Sequence, residues 1–565
     1  MNNKTDALGL PKNIDRTERV LRITAFILIS FFGLLQVATA ILLLLNIHVT
    51  GLHFPLTFAG ALLFSFFFAR ERDDAGWSFK GFLAPAAVSL IILVISIQIA
   101  AWFFDFSWDG QSYHQEYIIR LKNHWNPTQS YLPFTVPLAE VCNYYSRGIE
   151  TIQSTLYAFT GCIETGKATG FILFFATLSL CYSFLLRQAG LSKPKAWILA
   201  LITACNPVFL YQAFTYYIDA HIYFLYVILI VSAIRIFMTG ETMPMILFGS
   251  AIVLLLPAKF IAIPMTGILV IALIVILLLY RKYKLFVKVV AVSTVCSAIG
   301  FFLVGYQPYV TNLVNHSSPF YPFSGAGAAP GAPLVDQSPE GFPEKNRVSK
   351  FFISVFSPTE NLQHAETSRT PGIKIPFTLN KNELRIVWDQ RLGGFGPFYG
   401  GAFLVSVILL TALLLRLTPG DRRFLICLIV PLTTSVFVIS EPWWFRYVPQ
   451  LWLFSVILIL FAELKWKNRF SKVLSGIVYV ALALNILLTG AGTLYWNVRD
   501  TLKVKEQLEI IRKSGKTVIA DFGIFTGNEI RLQEYDIPYV RSEDPVADPD
   551  SFSLLHSKVK MGFLP

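Results

Sequence analysis

The stretch "FLAPAAVSLIILVISIQIAAWFFDFSWDGQSYHQE", residues 82–116, joins two kinds of chemistry without a break. Residues 82–104 carry no charge, and as a helix they are long enough to cross a hydrocarbon core of about 30 Å. Residues 105–116 then bring Asp105, Asp109, His114 and Glu116 together with Trp108 and Tyr113. A helix that is apolar all round belongs in lipid, so these titratable groups stand at the mouth of a membrane span.

The rest of the chain repeats this alternation. Of its 565 residues 54% are hydrophobic, 15% aromatic and only 15% charged, and the mean hydropathy is +0.57. Such a composition excludes an ordinary soluble domain and predicts an all-α polytopic membrane protein. About thirteen apolar blocks read as transmembrane helices, near 24–46, 54–70, 82–104, 168–186, 196–213, 221–238, 243–258, 260–280, 285–305, 399–417, 424–440, 447–463 and 473–493. The first block follows a polar basic tail and lacks a small-residue cleavage site, so it reads as a span and not as a removable signal.

The net charge of +12 does not point to nucleic acid, because Lys and Arg gather in short loops between apolar blocks, where they orient a membrane protein. Arg70, Arg72 and Lys80; Arg187, Lys193 and Lys195; Arg281, Lys282 and Lys284; Arg416, Arg422 and Arg423; and Lys465, Lys467, Arg469 and Lys472 then face the cytoplasm, as does the N-terminus. The other side receives long loops at 105–167 and 306–398 and a C-terminal tail. The expected division is a membrane domain over 1–495 and a small extracytoplasmic α/β appendage over 496–565. Within the appendage "KTVIADFG" reads as a strand, "NEIRLQEY" as a helix and "IPYVRSED" as a strand. The Pro/Gly-rich "SGAGAAPGAPLVDQSPEGFPE" (324–344) reads as an irregular loop, a lid in outline. Cys142 and Cys162 share one external loop and leave a disulfide open; Cys181, Cys205, Cys296 and Cys427 lie in apolar blocks as small hydrophobes. A bacterial inner membrane is the expected location.

Threading the spans sends the informative residues to one side: Asp105, Asp109 and His114; Asp219 in "YYIDAH"; Lys259 in "PAKF"; Asp389 and Arg391 in "DQRLGGFGP"; and Arg446 in "EPWWFRYVPQ". Carboxylates with nearby cations suit transfer of a sugar from a polyprenyl-phosphate carrier. One acid takes the proton of an attacking hydroxyl, and cations hold the departing phosphate. Asp109 is the candidate base, or the start of an Asp-Gly turn. Asp219 positions the acceptor, shares a proton, ligates a metal, or caps a helix. Lys259 and Arg446 are phosphate ligands or interfacial anchors. His114 is a second base, a substrate contact, or a structural hydrogen-bonder. Trp108, Tyr113, Trp443 and Trp444 suit either stacking on a sugar ring or an interfacial aromatic belt. "GGFGP" (393–397) is a turn and not a phosphate loop, since it lacks the Lys-Ser/Thr that follows one.

"WDGQSYH", "YYIDAH", "PAKFIAIP", "SSPFYPF" and "RYVP", in that order, resemble the pattern of the GT-C superfamily of integral-membrane glycosyltransferases, which includes the protein O-mannosyltransferases and the bacterial transferase that adds aminoarabinose to lipid A. The resemblance implies inverting transfer from a polyprenyl-phosphate sugar to a glycan, lipid or protein acceptor. It implies Asp109 as base, Asp219 as second acid, Lys259 and Arg446 at the lipid phosphate, and in some members Mg or Mn, here on Asp109 and Asp219. The pattern departs from the family in two ways: the acidic loop follows the third span instead of the first, and its acids are four residues apart instead of adjacent, which makes Asp105 the substitute base. A transporter or flippase of a lipid-linked or anionic substrate is the rival reading, and an O-antigen ligase a third.

Overall fold

The computed structural model describes residues 15–70, 77–328, 337–361, 371–384, 387–542 and 551–564. Arg72, residues 329–336 of the Pro/Gly-rich loop and the last two residues of "IPYVRSED" lie outside the described residues. A helix falls on each of the thirteen apolar blocks: α1 (Arg16–Leu44), α2 (His53–Phe68), α3 (Phe79–Trp102), then, beyond a short helix α4 (Gly148–Thr160), α5 (Ala168–Arg187), α6 (Lys193–Ala204), α7 (Asp219–Thr239), α8 (Thr242–Leu255), α9 (Ala262–Leu279), α10 (Tyr283–Ala298), α11 (Tyr399–Arg416), α12 (Pro419–Phe437), α13 (Trp452–Lys465) and α14 (Arg469–Ser514). Their starts are set locally. Asp15 accepts from the Thr17 and Glu18 amides, Ser78 from Gly81, and Asn468 from Ser471, which satisfies N–H groups that a helix leaves open.

Eight described helices are long and apolar enough to cross a membrane: α1, α3, α5, α7, α9, α10 with its π-helical continuation to Val304, α11 and α14. Length and composition by themselves support these eight, and the other five expected spans fall on helices that do not meet the same measure. α2, α6, α8 and α13 are shorter, and α12 opens on Asp421, Arg422 and Arg423. α1 and α7 form the centre, with Phe26, Phe31, Tyr223 and Phe224 almost wholly buried. α3, α9 and α10 turn Leu90, Ile91, Ile271, Val287 and Val295 outward. Contiguous apolar surface of this kind is what a lipid-facing wall requires.

The two ends of the bundle differ. At one end the basic loops meet: Lys193 pairs with Asp15, Lys195 with Glu463, and Lys465 with Asp421 at 2.9 Å. The loops at the other end carry the candidate site. The last helix also departs from the sequence expectation, which ended the span at 493. Nothing between 494 and 514 breaks a helix, so α14 runs for 46 residues to a left-handed cap at Gly515. Its polar second half carries the appendage on its end, where Val504, Leu508 and Ile511 join the appendage core. There β1 (Val518–Asp521), α15 (Gly527–Glu534) and β2 (Tyr539–Arg541) match the three expected segments, while β3 (Lys560–Phe563) was not foreseen. The sheet order is β2-β1-β3, parallel between β1 and β2 and antiparallel between β1 and β3.

Candidate functional site

Four turns bring their charges to one point. Asp109 follows α3, Asp219 opens α7, Lys259 lies between α8 and α9, and Arg446 lies between α12 and α13. Asp389 and Arg391 arrive from the segment before α11. Arg446 is the hub. Its Nη1 is 3.5 Å from Asp109 Oδ2 and 3.7 Å from Asp219 Oδ2, and its Nε is 3.3 Å from Asp389 Oδ1. Burial works against its charge, but Asp389, the Tyr447 and Tyr217 phenols and Asp219 together outweigh it and move the guanidinium pKa upward. Its carbon lies 4.5–5.0 Å from the ring centroids of Trp444, Tyr217 and Tyr447.

Each acid has a second partner. Lys259 Nζ stands 2.7 Å from Asp219 Oδ1, and Gln212 donates to the other oxygen at 3.2 Å. Arg391 Nη2 is 3.1 Å from Asp389 Oδ2, and Trp444 Nε1 donates to Asp389 Oδ1 at 3.1 Å. Tyr113 hydrogen-bonds to Asp109; removal from water and then the Asp109 carboxylate push its phenol well up. The set is electrically balanced, with Asp109, Asp219 and Asp389 against Lys259, Arg391 and Arg446. Exposure separates the members. The Asp219 side chain is 0% exposed and Asp389 11%, whereas Asp109 is 17% and Lys259 30%. The acid and the cation most open to a ligand are therefore Asp109 and Lys259.

Asp105 is not part of this cluster. Its Oδ1 accepts from the Ser107 amide and hydroxyl, and its Oδ2 from the Tyr216 amide at 2.7 Å, which fixes the loop. Gly110 makes room for it, since a Cβ there would come 1.8 Å from Asp105 Oδ2. Asp105 is therefore a poor substitute for Asp109 as base. Trp443 and Trp444 are buried at 1% and stack at 5.6 Å, so they serve neither as a sugar platform nor as an interfacial belt; Trp108 stays 44% exposed. Cys142 and Cys162 are both free. The turn at 393–397 is pinned by Asn485, which donates to the Phe395 carbonyl and accepts from the Phe398 amide. The end of the 306–398 loop reaches the site through Asp389 and Arg391.

His114 belongs to an adjoining layer with two residues that the sequence reading passed over. Its Nδ1 and Arg147 Nη1 each lie 2.8 Å from Glu150 Oε1, and Arg147 sits 4.8 Å over the Tyr113 ring. Arg147 and Glu150 are three apart, one turn of helix, at the start of α4, a spacing that marks a pair but not its burial. Burial raises the Glu150 pKa, but Arg147 and His114 outweigh it and hold the carboxyl down to about 2. Because this lies below its unfolded value near 4.3, the stabilisation is present above that value and fades as pH falls from there toward 2. Glu150→Gln should therefore melt well below the parent at pH 7, with the gap in Tm narrowing toward pH 3. A gap that stays constant across that range would contradict this account.

All three carboxylates face Arg446, Lys259 occupies one side of Asp219, and among the described residues no three His, Cys, Asp or Glu side chains are arranged to hold a metal ion. The arrangement can accept a proton at Asp109 and attract an anion at Lys259. No protein-family model matches the chain, and no curated protein sequence does either.

Proposed function

We propose that this chain is an integral-membrane glycosyltransferase that moves a sugar from a polyprenyl-phosphate donor to an acceptor hydroxyl on the extracytoplasmic face. The observation that carries the reading is the convergence of Asp109, Asp219 and Asp389, from three separate loops, on the one guanidinium of Arg446. The basic loops lie at the opposite end of the bundle, which under the positive-inside rule supports an outer-face site. A helix bundle with the site at its rim lets a prenyl tail stay in lipid while its phosphate and sugar reach water.

In the proposed step the acceptor oxygen attacks the anomeric carbon as its proton passes to Asp109, and the bond from that carbon to the phosphate oxygen breaks with inversion. The phosphate leaves with both electrons of that bond. Lys259 is the better placed of the two cations to receive it, because Arg446 already holds three carboxylates while Lys259 holds one and is the more open. Arg446 organises the acids. The resemblance to GT-C transferases agrees with this reading in its residues and their order.

Reconstitution of the full chain in vesicles with polyprenyl-phosphate-linked sugars tests it. Transfer releases polyprenyl phosphate and makes a new glycosidic bond. A carrier instead moves the intact lipid-linked sugar across the bilayer, and that result would replace the transferase with the rival reading.

A further inference from the structure

Asp109 sits near the middle of the segment 105–116, and the appendage grips that segment on both sides of it. Arg531 of α15, 1% exposed, donates from Nη2 to the Asp105 carbonyl at 2.6 Å and from Nη1 to Gln111 Oε1 at 3.4 Å. One guanidinium thus spans the chain from residue 105 to residue 111. Asn528 donates to the same Gln111 oxygen at 3.2 Å, and Gln111 in turn donates to the His556 carbonyl at 3.2 Å. Thr526 donates to Glu116. Gly527 leaves space for the buried Gln115 amide, since a Cβ there would come 1.7 Å from Gln115 Oε1. Phe104 and Phe106 lie in one apolar cluster with Val504, Leu508, Val518 and Met561.

We infer that the C-terminal appendage is a clamp that positions Asp109, with Arg531 as its principal positioning residue; the catalytic half of this inference rests on Asp109 being the base. A tethered domain meant only to bind something would not place its most buried cation across the backbone that carries the base. The five-residue π-helical turn Gly110–His114, directly after Asp109, is a local departure from α geometry held between this clamp and the Glu150 layer. Arg531 also forms an ion pair with the buried Glu164 at 3.1 Å, but Glu164 keeps Lys167 at 2.6 Å without it. Loss of Arg531 therefore frees the segment without stranding a buried carboxylate.

The test uses Arg531→Gln in the full-length chain in lipid nanodiscs, with two readouts. Amide hydrogen exchange over residues 105–116 should quicken about tenfold or more, as the loss of a charge-assisted hydrogen bond dictates, while exchange in α7 stays parental. With a polyprenyl-phosphate sugar as donor, kcat per donor-binding site should fall about 10- to 100-fold with KM for the donor unchanged. Asn528→Ala, which spares the ion pair, should move both readouts the same way by less. Parental exchange at 105–116 in Arg531→Gln overturns the clamp whatever reaction the protein performs. Faster exchange with parental kcat overturns the link to catalysis alone, and absence of transfer by the parent overturns the transferase reading while the exchange result still judges the clamp.

Discussion

Asp109→Asn is expected to lower glycosyl transfer by about 10²- to 10⁴-fold, the usual contribution of a general base, with little change in folding or in affinity for the donor. The carboxamide keeps the size of the side chain and its acceptor oxygen for Tyr113, and Arg446 retains the two carboxylates of Asp219 and Asp389. What disappears is the capacity to take a proton at the most open acid of the cluster. Lys259 and its Asp219 partner are untouched, so the phosphate end of the donor should bind as before. Initial rates with a polyprenyl-phosphate sugar, set against the dissociation constant for the unreactive polyprenyl phosphate, separate chemistry from binding. Asp105→Asn is the control. It disturbs a carboxylate that ties Ser107 to Tyr216, so it should lower Tm while leaving the rate per folded molecule closer to the parent. Undiminished transfer by Asp109→Asn removes Asp109 as the base, and equal losses in the two variants remove the distinction between them.

Hydropathy made the helices readable, because lipid demands an apolar run of a definite length and offers no partner for open backbone groups. It could not place the end of α14. Residues 494–514 are too polar for lipid, yet a helix continues until a breaker stops it, and the first is Gly515. The members of the site were also visible one by one, as isolated charges at the ends of apolar blocks. Their pairing was not, since whether Asp105 or Asp109 meets Arg446 depends on a turn whose sequence mark is the single Gly110. Glu150 and Arg147 were passed over because a buried i,i+3 ion pair and an exposed one look the same along the chain. The two tryptophans of "EPWWFRYVPQ" were misjudged for a related reason: composition marks them as large and amphipathic, while only packing decides that both are buried, Trp444 beneath Arg446 and Arg391 and Trp443 against Phe342 and Trp444. The bonds from Arg531 to the Asp105 carbonyl and Gln111 span more than 400 residues of sequence, and no local pattern signals such a contact.

Arg446→Leu should be the most damaging single change in the protein. Arg446 is 6% exposed, and the leucine would leave Asp109, Asp219 and Asp389 facing one another with only Lys259 and Arg391 to balance them. Removing one side of a buried ion pair costs about 3–5 kcal/mol, so thermal unfolding in detergent should show a fall in Tm well beyond that of any surface substitution. Arg446→Lys should recover only part, because a point charge cannot reach three carboxylates that a planar guanidinium meets along two edges. Asp389→Asn is the informative partner. If Arg446 acts chiefly by holding acids together, then adding Asp389→Asn to Arg446→Leu relieves part of the uncompensated charge, and the double variant melts above the single one. If its role were instead to grip the donor phosphate, the second substitution would bring no recovery of Tm, and the single variant would lose donor affinity without losing stability. The Tm values of the parent, the two single variants and the double variant, read as a double-mutant cycle, decide between an organising arginine and a phosphate-binding one.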